Sequence, residues 1–179
     1  GSSDPAAGDP GSIYIGNVGW DDWESLQVCD APGQNFGWPL FDGMDLTPDF
    51  VAGGTYNVDV NNLDAPNPLY PGGGCSQYFS FRQLLKQHAA NPTNFPPFNN
   101  PCNASVKIPT NIPQFLHALP VLDWNHNSPI TRAPTYATNG TAIYTNIGVA
   151  GSPVSGAAFR GNCAVGGIWF TNASFPSAY

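Results

Sequence analysis

GNVGWDDWESLQVCDAPGQNFGWP, residues 16–39, is the stretch whose reading decides the fold. Just before it, Ser12-Ile13-Tyr14-Ile15 alternates apolar Ile13 and Ile15 with Ser12 and Tyr14, the period of a half-buried strand. Gly16-Asn17-Val18-Gly19 then reads as a turn, and Trp20-Asp21-Asp22-Trp23-Glu24 as an acidic aromatic cluster. Ser25 to Cys29 is a second strand candidate, leading through Ala31-Pro32-Gly33 to Asn35-Phe36-Gly37-Trp38-Pro39. Glycine permits backbone angles and close approaches that a side chain forbids, and proline fixes one dihedral and ends pairing. The expected outcome is a strand, a tight loop bearing acids, a second strand and a rigid aromatic corner.

Outward from this stretch, the composition favours short strands joined by loops. The 179 residues suffice for one domain core, and 20 Gly and 19 Pro point to turns rather than helices. A disordered chain is the alternative, but 5 Trp, 7 Tyr and 11 Phe supply more apolar surface than disordered chains carry. Only 9% of residues are charged, the net charge is −7, and residues 1–64 contain no Lys or Arg. Nucleic-acid binding needs clustered positive charge to replace phosphate counterions, so that class is rejected. No apolar run approaches the roughly 20 residues of a membrane-spanning helix.

Cys29, Cys75, Cys102 and Cys163 are widely spaced, and no C-x-x-C pair suggests zinc. Sequons stand at Asn103, Asn139 and Asn172, whereas Asn91-Pro92-Thr93 is disqualified by its proline. Low charge, an even cysteine count and three sequons favour a secreted, extracellular glycoprotein with disulfides; an intracellular chain with four buried thiols is the alternative. Cys75–Cys102 is the expected pair, because it would pin a long Pro/Asn-rich loop. Cys29–Cys163 then follows by elimination. The chain begins without Met and carries no signal peptide, which reads as a mature product, a processed fragment or a portion of something longer.

Further along, Ser80 to Ala90 is the best helix candidate. Ser80 and Gln83 have capping-box spacing, and Phe81, Leu84, Leu85 and His88 share one helical face. Asn91 to Pro113 reads as a Pro/Asn-rich insertion. Leu119–Trp124, Ala142–Ile147, Val154–Phe159 and Gly167–Thr171 read as short strands bounded mostly by Gly, Pro or Asn. No internal repeat of the 40–50-residue kind is visible.

The run Ile13-Tyr14-Ile15-Gly16-Asn17-Val18-Gly19, with Trp23-Glu24, Gln34-Asn35-Phe36-Gly37-Trp38-Pro39 and Asp42-Gly43 after it, resembles the glucose/sorbosone dehydrogenase family. Ser155-Gly156-Ala157-Ala158-Phe159-Arg160-Gly161, followed by Phe175-Pro176 and Tyr179, is a second and weaker likeness. The resemblance implies an all-β fold: part of a six-bladed β-propeller of four-stranded antiparallel blades. It would span residues 1–179 with an insertion at about 72–118, long loops and one short helix. The remaining blades would come from other segments of a longer parent or from partner chains. Active relatives oxidise sugars with pyrroloquinoline quinone (PQQ) and calcium. By that resemblance the carbonyls of Gly19 and Trp20 would face the calcium that holds the quinone.

The acidic cluster invites the same metal on chemical grounds. Calcium takes several oxygens from carboxylates and carbonyls on a turning loop, and Gly19, Trp20, Asp21, Asp22 and Glu24 offer them, with Asp42 and Asp45 near in sequence. Solvated or turn-capping acids are the alternative. Trp20-Asp21 departs from the family's Gln-Asn pair at this point. His88, His117 and His126 form no recognised metal spacing, none is expected to be a catalytic base, and no G-x-S-x-G elbow exists. Two readings result. One is a non-catalytic secreted module within a larger assembly. The other is a piece of a PQQ- and calcium-dependent sugar oxidoreductase, in which quinone accepts hydride while a base removes a proton. The family's base and quinone-facing arginine have no matching positions, so the chain alone is expected not to oxidise sugar.

Overall fold

The computed structural model describes residues 11–20, 22–48 and 61–164. The alternating segment forms β1 (Ile13–Asn17), and Trp23–Cys29 forms β2. A long excursion then carries a two-residue hairpin, β3 (Phe41–Asp42) with β4 (Asp45–Leu46), closed by Gly43 at φ 60. Next come β5 (Asn61–Pro66), β6 (Tyr78–Ser80), the four-residue α1 (Phe81–Leu84) and β7 (Leu85–Gln87). β8 (Asn99–Asn100), β9 (Asn103–Lys107) and β10 (Phe115–His117) complete the excursion. The chain returns as β11 (Leu122–Asn125), β12 (Thr131–Tyr136) and β13 (Ala142–Asn146).

β1-β2-β11-β12-β13 is one antiparallel five-stranded sheet. The fold is therefore mostly β, and among the described residues it closes into neither a barrel nor a ring of blades. The meander has five strands, not the four of the expected blade. The excursion from residue 30 to 121 interrupts it between β2 and β11, wider than the expected insertion. Two-residue periodicity sorts the side chains: Asn17, Ser25, Gln27, Asp123 and Arg132 share one face, while Glu24, Leu26 and Trp124 share the other.

β12 escapes a sequence reading because Pro134 lies inside it. Proline cannot donate to a ladder. Here β12 pairs with β11 only through Thr131 and Arg132, so Pro134 has a single neighbour, opposite Tyr144 in β13. Val154–Phe159 is not a strand. That segment lies against the second face instead, where Phe159 N–H donates to Thr131 Oγ1 (2.9 Å) and its ring packs on Trp124. The helix is cut to one turn because β7 starts at once and pairs in parallel with β10. The cap is as expected, with Ser80 N–H donating to Gln83 Oε1 at 3.0 Å. Gly167–Thr171 lies outside the described residues.

The excursion has its own apolar clusters. Ala65, Phe79, Leu84, Ile108 and Ile112 are buried together with Phe98 against them, and Leu40, Phe41 and Leu85 form a second group. Beside the first, Asn67 and Asn100 exchange side-chain hydrogen bonds (2.7 and 3.2 Å) next to Cys102. The excursion is stitched to the sheet through Ala118 N–H to Asn35 O, Val121 N–H to Leu26 O and Ala90 N–H to Gly140 O.

Candidate functional site

The turn after β1 is organised around Asp42. Its carboxylate accepts the backbone N–H groups of Trp20, Asp22 and Trp23, each at 3.3 Å. Gly19 is required there: a Cβ would stand 1.7 Å from the Trp23 carbonyl oxygen. Three backbone donors of the loop thus converge on this acid, which caps the turn. Asp22 is exposed and its carbonyl accepts His126 N–H at 2.9 Å. Glu24 is fully buried on the second face, its Oε1 2.8 Å from His126 Nε2, a close approach that misses hydrogen-bond alignment. Asp21 lies outside the described residues. Among the described residues no three His, Cys, Asp or Glu side chains are placed to hold a metal, and no side-chain cage for the expected calcium is assembled.

The strongest electrostatic feature is one the motif reading missed. Arg132, 2% exposed, donates through Nε and Nη2 to both oxygens of Asp123 and through Nη1 to Asp45 (2.8 Å). Its guanidinium lies 3.3 Å from the Trp23 ring centroid and 4.3 Å from that of Tyr144. Asp123 also accepts Met44 N–H at 3.0 Å. Burial works against charge on both partners and pushes Asp123 up. At Arg132 the hydrogen bonds to Asp123, then to Asp45, outweigh burial and hold it above its ordinary value. Guanidinium does not deprotonate in proteins, so Arg132 keeps its charge. A signal existed in the sequence: Asp123 is the lone acid after residue 64. All three guanidinium nitrogens of Arg132 and both carboxylate oxygens of Asp123 are engaged within the fold.

His117 is fully buried at the seam between excursion and sheet. Its Nδ1 lies 2.7 Å from Gln87 Oε1, its ring stacks on Phe41, and its Nε2 has no aligned partner. Burial, and next the nearby His88, lower its pKa to about 4 against a weak pull from the Phe36 carbonyl. His88 meets the Tyr136 hydroxyl at 3.1 Å. The three histidines stand apart, each in a structural contact.

Cys75 and Cys102 form the expected disulfide. Cys29 and Cys163 are free thiols, so the second expected pair does not form. Cys29 ends β2 beside β1, whereas the chain leading to Cys163 runs over β11 and β12. Asn103 and Asn139 are exposed, and each folds its Oδ1 onto the N–H two residues on, Ser105 and Thr141, at 3.0 Å. Asn172 lies outside the described residues.

One cavity borders the opening stretch itself. It measures about 420 Å³ and is lined by Ile15, Asn17, Gln27, Gln34, Asn35, Phe36 and Trp38. Gln27 is 1% exposed, and its Oε1 has no hydrogen-bond partner among the described residues. The lining is neutral: four carboxamides beside apolar and aromatic walls. No family model, curated protein or solved structure matches this chain.

Proposed function

We propose that this chain is a secreted, glycosylated β module, non-catalytic by itself, that serves within a larger extracellular assembly. The observation that carries the reading is the consumption of charge at the candidate site. Asp42 caps its loop, and Arg132 is shared between Asp123 and Asp45, so these acids are engaged within the fold rather than poised for general acid–base chemistry. A disulfide and exposed sequon asparagines fit an oxidising, extracellular setting. The antiparallel meander, one strand more than a four-stranded blade, supports a partial propeller in which other segments or chains supply the rest and cover its edges. On material from the native source, intact mass before and after enzymatic deglycosylation should differ by glycan increments on Asn103 or Asn139. Sedimentation should show the chain bound to partner chains. Sugar-free mass together with a lone monomer would overturn the proposal.

The neutral cavity favours a second reading, a portion of a PQQ- and calcium-dependent sugar dehydrogenase. Carboxamides beside Trp38 suit an uncharged polyol, whose hydroxyls donate and accept while its C–H face lies on the ring. Dye reduction by aldoses after addition of calcium and PQQ to the isolated chain is the test. Turnover would put this reading first; its absence is the expected result.

A further inference from the structure

A second cavity, about 470 Å³, lies where the β3–β4 hairpin meets α1 and β7. Its apolar walls are Leu40, Phe41, Met44, Leu46 and Leu85, and Asp45, Arg82 and Lys86 are its charged members. A hollow of about 320 Å³ shares Met44, Asp45 and Gln87 with it and extends toward Tyr144. Leu46 is 52% exposed, so the wall opens to solvent. The volume lies in the range of small-molecule sites.

Lys86 is the unusual member of this lining. It is half-buried, and burial lowers the pKa of its ammonium group. Among the described residues it has no hydrogen-bond or ion-pair partner. Asp45, which lines the same cavity, is committed to Arg132 at 2.8 Å, and Gln87 Oε1 is committed to His117. In a chain of net charge −7, an ammonium against an apolar wall without a counterion is the exception. Burying charge without a partner is costly, and an incoming anion would relieve that cost.

The two features define one ligand. Apolar walls call for a hydrocarbon tail, and the two cations Lys86 and Arg82 set against Asp45 call for one negative charge. A dianion would meet Asp45, which disfavours phosphate. We infer that this cavity binds a monocarboxylate with an apolar chain, its carboxylate on Lys86 and its tail among Phe41, Met44 and Leu85.

The test is calorimetric titration of the full chain at neutral pH with three probes: octanoate, octanol and inorganic phosphate. Octanoate should bind one to one, octanol roughly tenfold more weakly, and phosphate not at all, since a charged hydrogen bond is worth about one decade or more. Lys86→Met should weaken octanoate roughly tenfold and leave octanol unchanged. Lys107→Met, at an exposed lysine that donates to Asn99, should leave both unchanged. Met44→Trp should abolish both by filling the cavity, with retained folding checked by thermal melting. No saturable octanoate binding, equal affinity for octanol, phosphate competing with octanoate, or unaltered octanoate binding in Lys86→Met would each overturn the inference.

Discussion

The sheet and the excursion that interrupts it are held together by different physics. On the sheet's first face, the buried groups are Ser25, Gln27, Asp123 and Arg132, and the largest fully buried side chain is an arginine. In the excursion the main cluster is apolar, Phe79, Leu84, Ile108 and Ile112, with the buried Asn67–Asn100 pair and a disulfide beside it. Apolar packing is non-directional and scales with area. A buried ion pair holds only if its geometry is complete, because each ion has given up water. The sheet should therefore fail sharply when one partner is removed, and the excursion by degrees.

The largest expected effect tests that contrast directly. Asp123→Ala leaves Arg132 buried with Asp45 alone, and should cost about 3–5 kcal/mol in chemical denaturation. Asp123→Leu combined with Arg132→Met should recover most of the loss, because removing both charges also removes the desolvation cost. If the double variant is as unstable as the single one, the cluster does more than satisfy its own charges. Replacing Cys75 and Cys102 together by Ser attacks the other region. The residues are 27 apart, for which loop-closure entropy gives about 3.5 kcal/mol. Hydrogen exchange should show protection lost around Phe79 and Leu84 while β2 and β11 keep theirs. Equal loss in both regions would mean that sheet and excursion unfold as one unit.

The same contrast explains what was legible in the sequence. β1 and β2 announce themselves by alternation, and the Asn-Phe-Gly-Trp-Pro corner by its punctuation; all are local signals. The Ser80–Gln83 cap is local too, and it forms. The helix beyond it does not extend, because Leu85–Gln87 is drawn into a parallel pair with Phe115–His117, some thirty residues away. Asp42 lies near the acidic turn in sequence, yet its role as acceptor for three backbone N–H groups needed the loop's geometry. The Arg132 cluster joins residues 45, 123 and 132 and rings 23 and 144, separations that no local pattern encodes. Of the cysteine pairs, the one that closes a loop within a single region formed, and the one that had to reach across the sheet did not.

His117 sits where the two regions meet, and its titration sharpens the comparison. It bridges Asn35 across strands, contacts Gln87, and stacks on Phe41, while a Cβ on Gly37 would approach its ring within 2.7 Å. Its pKa is lowered from 6.5 to about 4 in the folded protein, because burial disfavours the imidazolium. Between those values the unfolded chain takes up a proton that the folded one refuses. Stability is therefore unaffected above about pH 6.5, falls as pH drops toward 4, and loses nothing further from this group below that. The full loss is roughly 3 kcal/mol. His117→Gln removes the titration, so its stability should fall less than the wild type's between pH 7 and pH 4, by up to that amount. Carboxylates titrate in both proteins and cancel in the difference. The loss should appear first as lost protection of the β7–β10 pair and of Ala118 N–H, which bonds the Asn35 carbonyl. Parallel pH curves for the two proteins would show that the seam does not depend on a neutral histidine.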